Sequence, residues 1–201
     1  LRHVRRGVRD RTAHHGGTYC LDLCIPANSA AVIVKPGKWL TLDKPESLFI
    51  RPESMQPLPV PVPGASLELL WSLCNIPQSQ RLLVATWLIE CLRPETPFPI
   101  LELIGEQGSA KSTTQRNLRR VIDPNACDLR AAPKCVDDIF VSAGVCAVVS
   151  YENLSHLPPA MQDALCVLAT GGGHAKRKLY SDADETIIHV KRPVVINGIV
   201  V

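Results

Sequence analysis

The chain of 201 residues is long enough for one well-packed domain, or for one domain with a smaller appendage. Its hydrophobic content of 46% is sufficient for a core, whereas its net charge of +3 is too small to indicate a nucleic-acid partner by itself. The longest apolar run, residues 82–92, includes Thr86 and Glu90 and is too short to cross a bilayer. We therefore expect a soluble protein that has no membrane partner.

The cysteines and the first residues predict a cytoplasmic location. There are eight cysteines and no C-x-x-C spacing, and most lie in apolar runs, where a free thiol behaves as a small hydrophobic group. The chain opens with arginines rather than with the apolar stretch of a signal peptide. Both features are typical of a protein from a reducing compartment.

Arginines are concentrated at the start of the chain, at Arg2, Arg5, Arg6, Arg9 and Arg11. Such a run can follow a phosphate backbone, but a solvated tail is the commoner outcome. Short apolar segments follow at residues 19–25, 31–34, 39–42 and 48–50, separated by Pro, Gly and Asn as short strands are. Residues 57–64, PLPVPVPG, predict an extended linker. We assign residues 1–63 to a small β-rich segment with a proline-rich linker.

Residues 64–98 have helical periodicity. Leu67, Leu70, Trp71 and Cys74 suit a short helix. Pro77 and Ser79 begin a longer one, whose predicted buried side carries Leu82, Leu83, Trp87, Leu88, Cys91 and Leu92. Prolines at positions 94 and 97 end it. We interpret this region as a helical brace for the segment that follows.

Residues 99–201 alternate between strand and helix. The pattern predicts strands at residues 100–104, 145–150 and 193–196, helices at 111–122 and 158–170, and a charged hairpin within 173–190. Continuous apolar strands that alternate with helices predict an α/β fold with a parallel sheet covered on both faces. Since the chain ends soon after the last strand, we expect a C-terminally truncated version of such a domain.

A phosphate-binding loop is the clearest motif. Residues 101–113, LELIGEQGSAKST, match G-x-x-x-x-G-K-[ST] at Gly105, Lys111 and Ser112, with Ala110 in place of the second glycine. Lys111 would reach the β- and γ-phosphates, and the Ser112 hydroxyl would hold Mg²⁺. The alternative is a glycine-rich turn before a surface helix. The predicted nucleotide-binding residues are Gly105, Glu106, Gln107, Gly108, Ser109, Ala110, Lys111, Ser112 and Thr113.

Glu152 is the candidate acid of this site. It follows the apolar strand at residues 145–150, which places it at the carboxyl edge of the predicted sheet, where ligands bind in open α/β folds. There it would hold Mg²⁺ or activate water. The alternative is a structural glutamate at the end of a strand.

Three separated segments carry a family resemblance: GEQGSAKSTTQRNLRRVIDP, ENLSHLPPAMQDALCVLATGGGHAKRKLYSDADE and KRPVVINGI. Together they resemble phage- and prophage-encoded ATP-binding proteins, which are similar to the superfamily 3 helicases of viruses and plasmids, AAA+-type ATPases. The resemblance implies a P-loop NTPase fold, ATP and Mg²⁺ as cofactors, and catalytic roles for Lys111, Glu152 and Asn197. Asn197 would sense the γ-phosphate, although Asn-Gly is also a common turn dipeptide.

The resemblance also implies a DNA contact at the charged hairpin. Lys176, Arg177 and Lys178 would touch single-stranded or forked DNA in the channel of a homo-oligomeric ring. Two alternatives are a solvated hairpin, and an Arg177 that serves the nucleotide of a neighbouring subunit. The function so implied is an ATP-hydrolysing, helicase-like motor in the replication of a mobile element. A nucleotide-dependent switch or assembly module that does not translocate is the alternative.

Overall fold

The computed structural model describes residues 11–26, 28–177 and 185–199. It begins with a four-stranded antiparallel sheet in the order β1-β2-β3-β4. The strands are β1 Thr12–His15, β2 Thr18–Asp22, β3 Ala31–Lys35 and β4 Lys38–Leu42. Gly16 and Gly17 both have positive φ and form the two-residue turn that joins β1 to β2. The strands predicted within residues 19–42 are confirmed, whereas β1 was not predicted and residues 48–50 form no strand.

Arg11 is a buried structural residue, so the prediction of a solvated tail is wrong at this position. Its side chain is completely buried, and its Nε lies 2.8 Å from Oδ1 of Asp123. It also donates to the carbonyl oxygens of Asp22 and Gln56. A buried guanidinium needs such partners, because leaving it unpaired away from water is costly. The earlier arginines of the run lie outside the described residues.

Residues 57–62 of the proline-rich segment form neither helix nor strand, and Leu58 attaches the segment to the end of β2. The side chain of Leu58 is buried with Leu23, Ala30 and Val32. Its backbone N–H donates to the carbonyl oxygen of Leu23 at 2.9 Å.

Two helices follow, α1 Glu68–Leu73 and α2 Arg81–Glu90, with a 3-10 turn at Gln78–Gln80 between them. The buried side of the second helix carries Val84, Trp87, Leu88 and, just after it, Cys91. This is the i, i+3, i+4, i+7 stripe of an amphipathic helix. Leu82 and Leu83 were predicted to be buried, but they are 79% and 61% exposed because they lie off this stripe.

The remaining elements form a parallel sheet flanked by helices. They are β5 Ile100–Ile104, α3 Lys111–Ile122, α4 Val136–Val145, β6 Val149–Leu154, α5 Pro159–Thr170, β7 Gly173–Arg177, β8 Glu185–His189 and β9 Val194–Gly198. The strand order is β5-β9-β6, with both pairs parallel, while β7 and β8 form a separate antiparallel hairpin. The mixed α/β class, the parallel sheet and the hairpin are therefore as predicted. The strand expected at residues 145–150 instead begins at Val149, because Val145 ends α4, a helix that was not predicted.

The sheet is covered on both faces. Val195 of β9 packs with α1, α2 and α3 on one face, and its neighbours Val194 and Ile196 pack with α4 and α5 on the other. Successive side chains of a strand point to opposite faces, so an uninterrupted apolar strand fits this position. Because helices cover both faces, the polar groups of the sheet reach solvent mainly at the ends of the strands.

Candidate functional site

The loop between β5 and α3 folds back on itself at the carboxyl edge of the parallel sheet. The Ser109 hydroxyl donates to the carbonyl oxygen of Glu106 at 2.7 Å, which closes the turn. The Gly105 N–H donates to the carbonyl oxygen of Gly198 at 3.4 Å, which anchors the loop to β9. A β-carbon on Gly105 would lie only 3.0 Å from the Ser109 hydroxyl oxygen, so a glycine suits this position.

Two residues of the loop adopt left-handed backbone conformations. Gly108 has φ +81°, and Ala110, at the N-cap of α3, has φ +60° and ψ +23°. The methyl group of Ala110 cannot accept a hydrogen bond, so it does not cap the helix. The N–H groups of the first helical turn have no intrahelical acceptor and carry the positive end of the helix dipole. The loop therefore presents a site suited to an anion.

The ammonium group of Lys111 lies across this loop. Its Nζ is 2.6 Å from each of the carbonyl oxygens of Gly105 and Glu106 and 3.2 Å from the Ser109 hydroxyl. A lysine at the predicted phosphate position therefore also holds the loop together. A bound phosphate would have to share this ammonium with the loop carbonyls or replace them.

The loop borders a cleft of about 490 Å³, a volume within the usual range for small-molecule sites. Most of the predicted loop residues line it, together with the ends of β6 and β9 and the residue that follows each strand. The lining comprises Gln107, Gly108, Ser109, Ala110, Lys111, Ser112, Thr113, Asn153, Leu154, Ser155, Gly198 and Ile199. Of the described residues predicted for catalysis, Lys111 is in this lining, whereas Glu152 and Asn197 are not.

Glu152 lies on β6 beside the cleft. It is half-buried, and its backbone N–H donates to the carbonyl oxygen of Arg130 at 2.8 Å. The next residue, Asn153, has φ +56°, and the pairing of β6 with β9 is irregular between Tyr151 and Leu154. Burial raises the pKa of the Tyr151 phenol above its ordinary value. The bulge brings the segment after Glu152 to the cleft.

Asn197 is fully buried and hydrogen-bonded on all sides. Its Oδ1 accepts from the backbone N–H of Asn153 at 2.9 Å, and its Nδ2 lies 3.4 Å from the Ser112 hydroxyl. The same Nδ2 donates to Oε1 of Gln115 in a short hydrogen bond. Asn197 thus links the bulge of β6 to the first turn of α3. Asn197 lies near the end of its strand, as predicted. Its side chain is buried behind the cleft and does not line it.

Gln115 is the residue of this region that sequence reasoning missed. It is fully buried, and its Nε2 lies 2.8 Å from Oγ of Ser150, 2.9 Å from the carbonyl oxygen of Tyr151 and 3.2 Å from that of Val195, so its two N–H groups are shared among three acceptors. Its position offered a signal, because residues three and four apart share a helix face. Gln115 is three residues after Ser112 and four after Lys111, so it faces the sheet beneath them.

The helical segment before β5 supports the loop from outside. The side-chain amide of Asn75 donates to the carbonyl oxygen of Ser109 at 2.9 Å, and its backbone N–H donates to the Thr114 hydroxyl at 2.9 Å. The junction between α1 and α2 therefore contacts both the loop and the helix that follows it.

Two of the three predicted nucleic-acid residues belong to the hairpin and not to the cleft lining. Lys176 and Arg177 are in β7, paired with Thr186 and Glu185 of β8. Lys178 lies outside the described residues.

Comparison with known families identifies the chain. Residues 67–201 match the family described as actinomycete integrative conjugative element replication protein. The chain belongs to this family. Its context is therefore the replication of a mobile genetic element, which confirms the mobile-element part of the prediction. No curated protein and no solved structure matches the sequence.

Two absences concern the described part of the chain alone. None of its helices combines the length and apolar character needed to traverse a bilayer. Likewise, residues 11–26, 28–177 and 185–199 contain no group of three or more His, Cys, Asp or Glu side chains that could hold a metal ion.

Proposed function

We propose that this replication protein binds ATP with Mg²⁺ at the loop of residues 105–110 and the first turn of α3. The observation that carries the proposal is the convergence at one cleft of the Lys111 ammonium and the uncapped N-terminus of a basic helix. A triphosphate carries the negative charge that both groups favour. The family context supports it, since replication includes steps that consume nucleoside triphosphates.

The residues of the cleft fit the cation of a nucleotide complex. Mg²⁺ retains several waters and is bound through few protein ligands together with substrate phosphates. The Ser112 hydroxyl, at the cleft, would supply one protein oxygen, and the metal would shield the phosphate charge. Lys111 and the first-turn N–H groups would orient the phosphates.

The proposal extends to ATP hydrolysis that drives a helicase-like motor on single-stranded or forked DNA. In it, Glu152 holds Mg²⁺ or activates water, and Asn197 senses the γ-phosphate. The hairpin with Lys176, Arg177 and Lys178 contacts DNA in a homo-oligomeric ring, and the fold is a P-loop NTPase of AAA+ type. The parallel sheet with the loop at its carboxyl edge supports this reading.

A second candidate is a nucleotide-dependent switch or assembly module. It is favoured by one observation, that Glu152 and Asn197 both lie outside the lining of the cleft. A site that holds phosphate without a water-activating acid would bind ATP and turn it over slowly.

Lys111→Ala tests the binding proposal. Loss of a hydrogen bond to a charged group costs about 1.5–3 kcal/mol, so ATP affinity should fall roughly 10- to 150-fold. Isothermal titration calorimetry on the wild type and the variant measures this, with thermal unfolding recorded for each. Lys35→Ala is the matched control, since Lys35 is an exposed lysine on the antiparallel sheet. Equal ATP affinity in Lys111→Ala and the wild type would refute the site.

A DNA-stimulated ATPase assay separates the two functions. A motor should hydrolyse ATP faster when single-stranded DNA is added, because translocation couples DNA binding to turnover. A switch should bind ATP with the same affinity and show no stimulation.

A further inference from the structure

Gln115 is a buried polar side chain, and burying such a group costs free energy unless its polar atoms are hydrogen-bonded. It lies on the side of α3 that faces the parallel sheet, with no exposed surface. Each polar atom of its amide group has a partner, so its burial is satisfied. The partners belong to two strands: Ser150 and Tyr151 to β6, and Val195 and Asn197 to β9.

Only one orientation of the Gln115 amide group is compatible with all of its hydrogen-bond partners. The carbonyl oxygens of Tyr151 and Val195 can only accept, so they require the NH₂ group of Gln115 on their side. Its oxygen must then face Asn197, whose NH₂ group donates to it. This in turn directs the oxygen of Asn197 to the backbone N–H of Asn153. Gln115 thereby selects the orientation of the Asn197 amide.

The oriented amide of Asn197 also reaches the nucleotide site. Its second N–H points towards the Ser112 hydroxyl oxygen at 3.4 Å. A hydroxyl oxygen that accepts this bond keeps its other lone pair for a cation at the cleft. If Asn197 turned over, a carbonyl oxygen would face Ser112 and the hydroxyl would donate to it instead.

We propose that Gln115 is a positioning residue, which fixes the Asn197 amide and through it the Ser112 hydroxyl for the Mg²⁺ of a bound nucleotide. The metal-dependent half of this inference rests on the proposed function, whereas the link from Gln115 through Asn197 to Asn153 does not. The two halves therefore have separate measurements.

Gln115→Met tests both, because methionine fills a similar volume without the amide. The first measurement is amide hydrogen exchange at Asn153 by NMR in the nucleotide-free protein, where we expect roughly tenfold faster exchange. The second is ATP affinity with and without Mg²⁺, where we expect the enhancement by Mg²⁺ to fall roughly 2- to 10-fold while the metal-free affinity is unchanged.

Two further variants guard against a general loss of stability. Leu168→Ala opens a cavity on the opposite face of the sheet, so it lowers the unfolding temperature without touching these hydrogen bonds. It should leave the Mg²⁺ enhancement unchanged. Ser150→Ala removes one acceptor of Gln115 and should change both quantities in the same direction by less, which keeps the test available if Gln115→Met does not fold.

Each combination of the two measurements either supports or overturns the proposal. Faster exchange together with a reduced Mg²⁺ enhancement supports the proposal. Faster exchange with an unchanged enhancement assigns Gln115 to stability alone and overturns it, and a reduced enhancement with unchanged exchange overturns the route through Asn197. If the wild type binds no ATP, the proposed function fails, and unchanged Asn153 exchange would separately refute the orienting role of Gln115.

Discussion

Replacing Ala110 by glycine is expected to stabilise the protein. Ala110 is the residue that departs from the phosphate-loop template, and its backbone is left-handed, with φ +60° and ψ +23°. In that conformation the β-carbon of an L-residue crowds the following carbonyl oxygen, whereas glycine has no β-carbon. The carbonyl oxygen of Ala110 already accepts the first helical hydrogen bond, from the Thr114 N–H at 2.9 Å, and glycine keeps that bond.

The magnitude follows from two opposing contributions. Relief of the left-handed strain is worth about 1–2 kcal/mol. The greater freedom of glycine in the unfolded chain offsets about 0.4–1 kcal/mol of this. The free energy of unfolding should therefore rise by up to about 1.6 kcal/mol, which for a chain of this size raises the melting temperature by up to roughly 6 °C.

Urea unfolding of both proteins, with thermal unfolding as a second measure, tests this expectation. The slope of the free energy against urea should not change, because the surface exposed on unfolding is the same. Ala85→Gly in α2 is the matched control. The same substitution in a right-handed helix should destabilise by about 1 kcal/mol. A loss of stability in Ala110→Gly as large as in Ala85→Gly would refute the strain argument.

Two more predictions concern the interior. Asp123→Ala should destabilise the protein by about 3–5 kcal/mol in urea unfolding, because it leaves the guanidinium of Arg11 buried without its carboxylate. Asp163→Ala, at an exposed position of α5, should change stability by no more than about 0.5 kcal/mol, and equal effects of the two would contradict the buried pair. Burial raises the pKa of the Cys91 thiol well above its usual value, so brief treatment with N-ethylmaleimide at neutral pH should spare it and label the exposed Cys127. Labelling of both at one rate in the native protein, measured by mass spectrometry of peptides, would contradict this.

The parts of the fold that were predictable have strong local patterns. The helix α3 and the strands β5 and β9 are bounded by glycine or proline and are long enough to show their period. The prediction of the buried face of α2 was wrong because it placed every leucine of the helix on that face. The spacing of Val84, Trp87 and Leu88 would have excluded Leu82 and Leu83.

What could not be predicted depends on distant partners. The burial of Arg11 follows from Asp123, which is far away in sequence and carries no local sign of the pairing. At the candidate site, the spacing of the glycines and the lysine was enough to predict the loop and the position of its lysine. The orientation of Asn197 was not, since it is set by Gln115 on another element.

The position of β9 between β5 and β6 has a consequence for synthesis on the ribosome. Ile100 pairs with Val194, and Val149 pairs with the same residue, so the parallel sheet has no partner for β5 until β9 has emerged. At about 5–20 residues per second, this interval lasts roughly 5–20 s. Once each has been synthesised within this interval, the apolar sides of α3 and α5, with Leu118 and Leu168, lack the strand that later covers them. Exposed apolar surface of this kind favours aggregation, so slow translation should prolong the period in which the nascent chain is prone to aggregate.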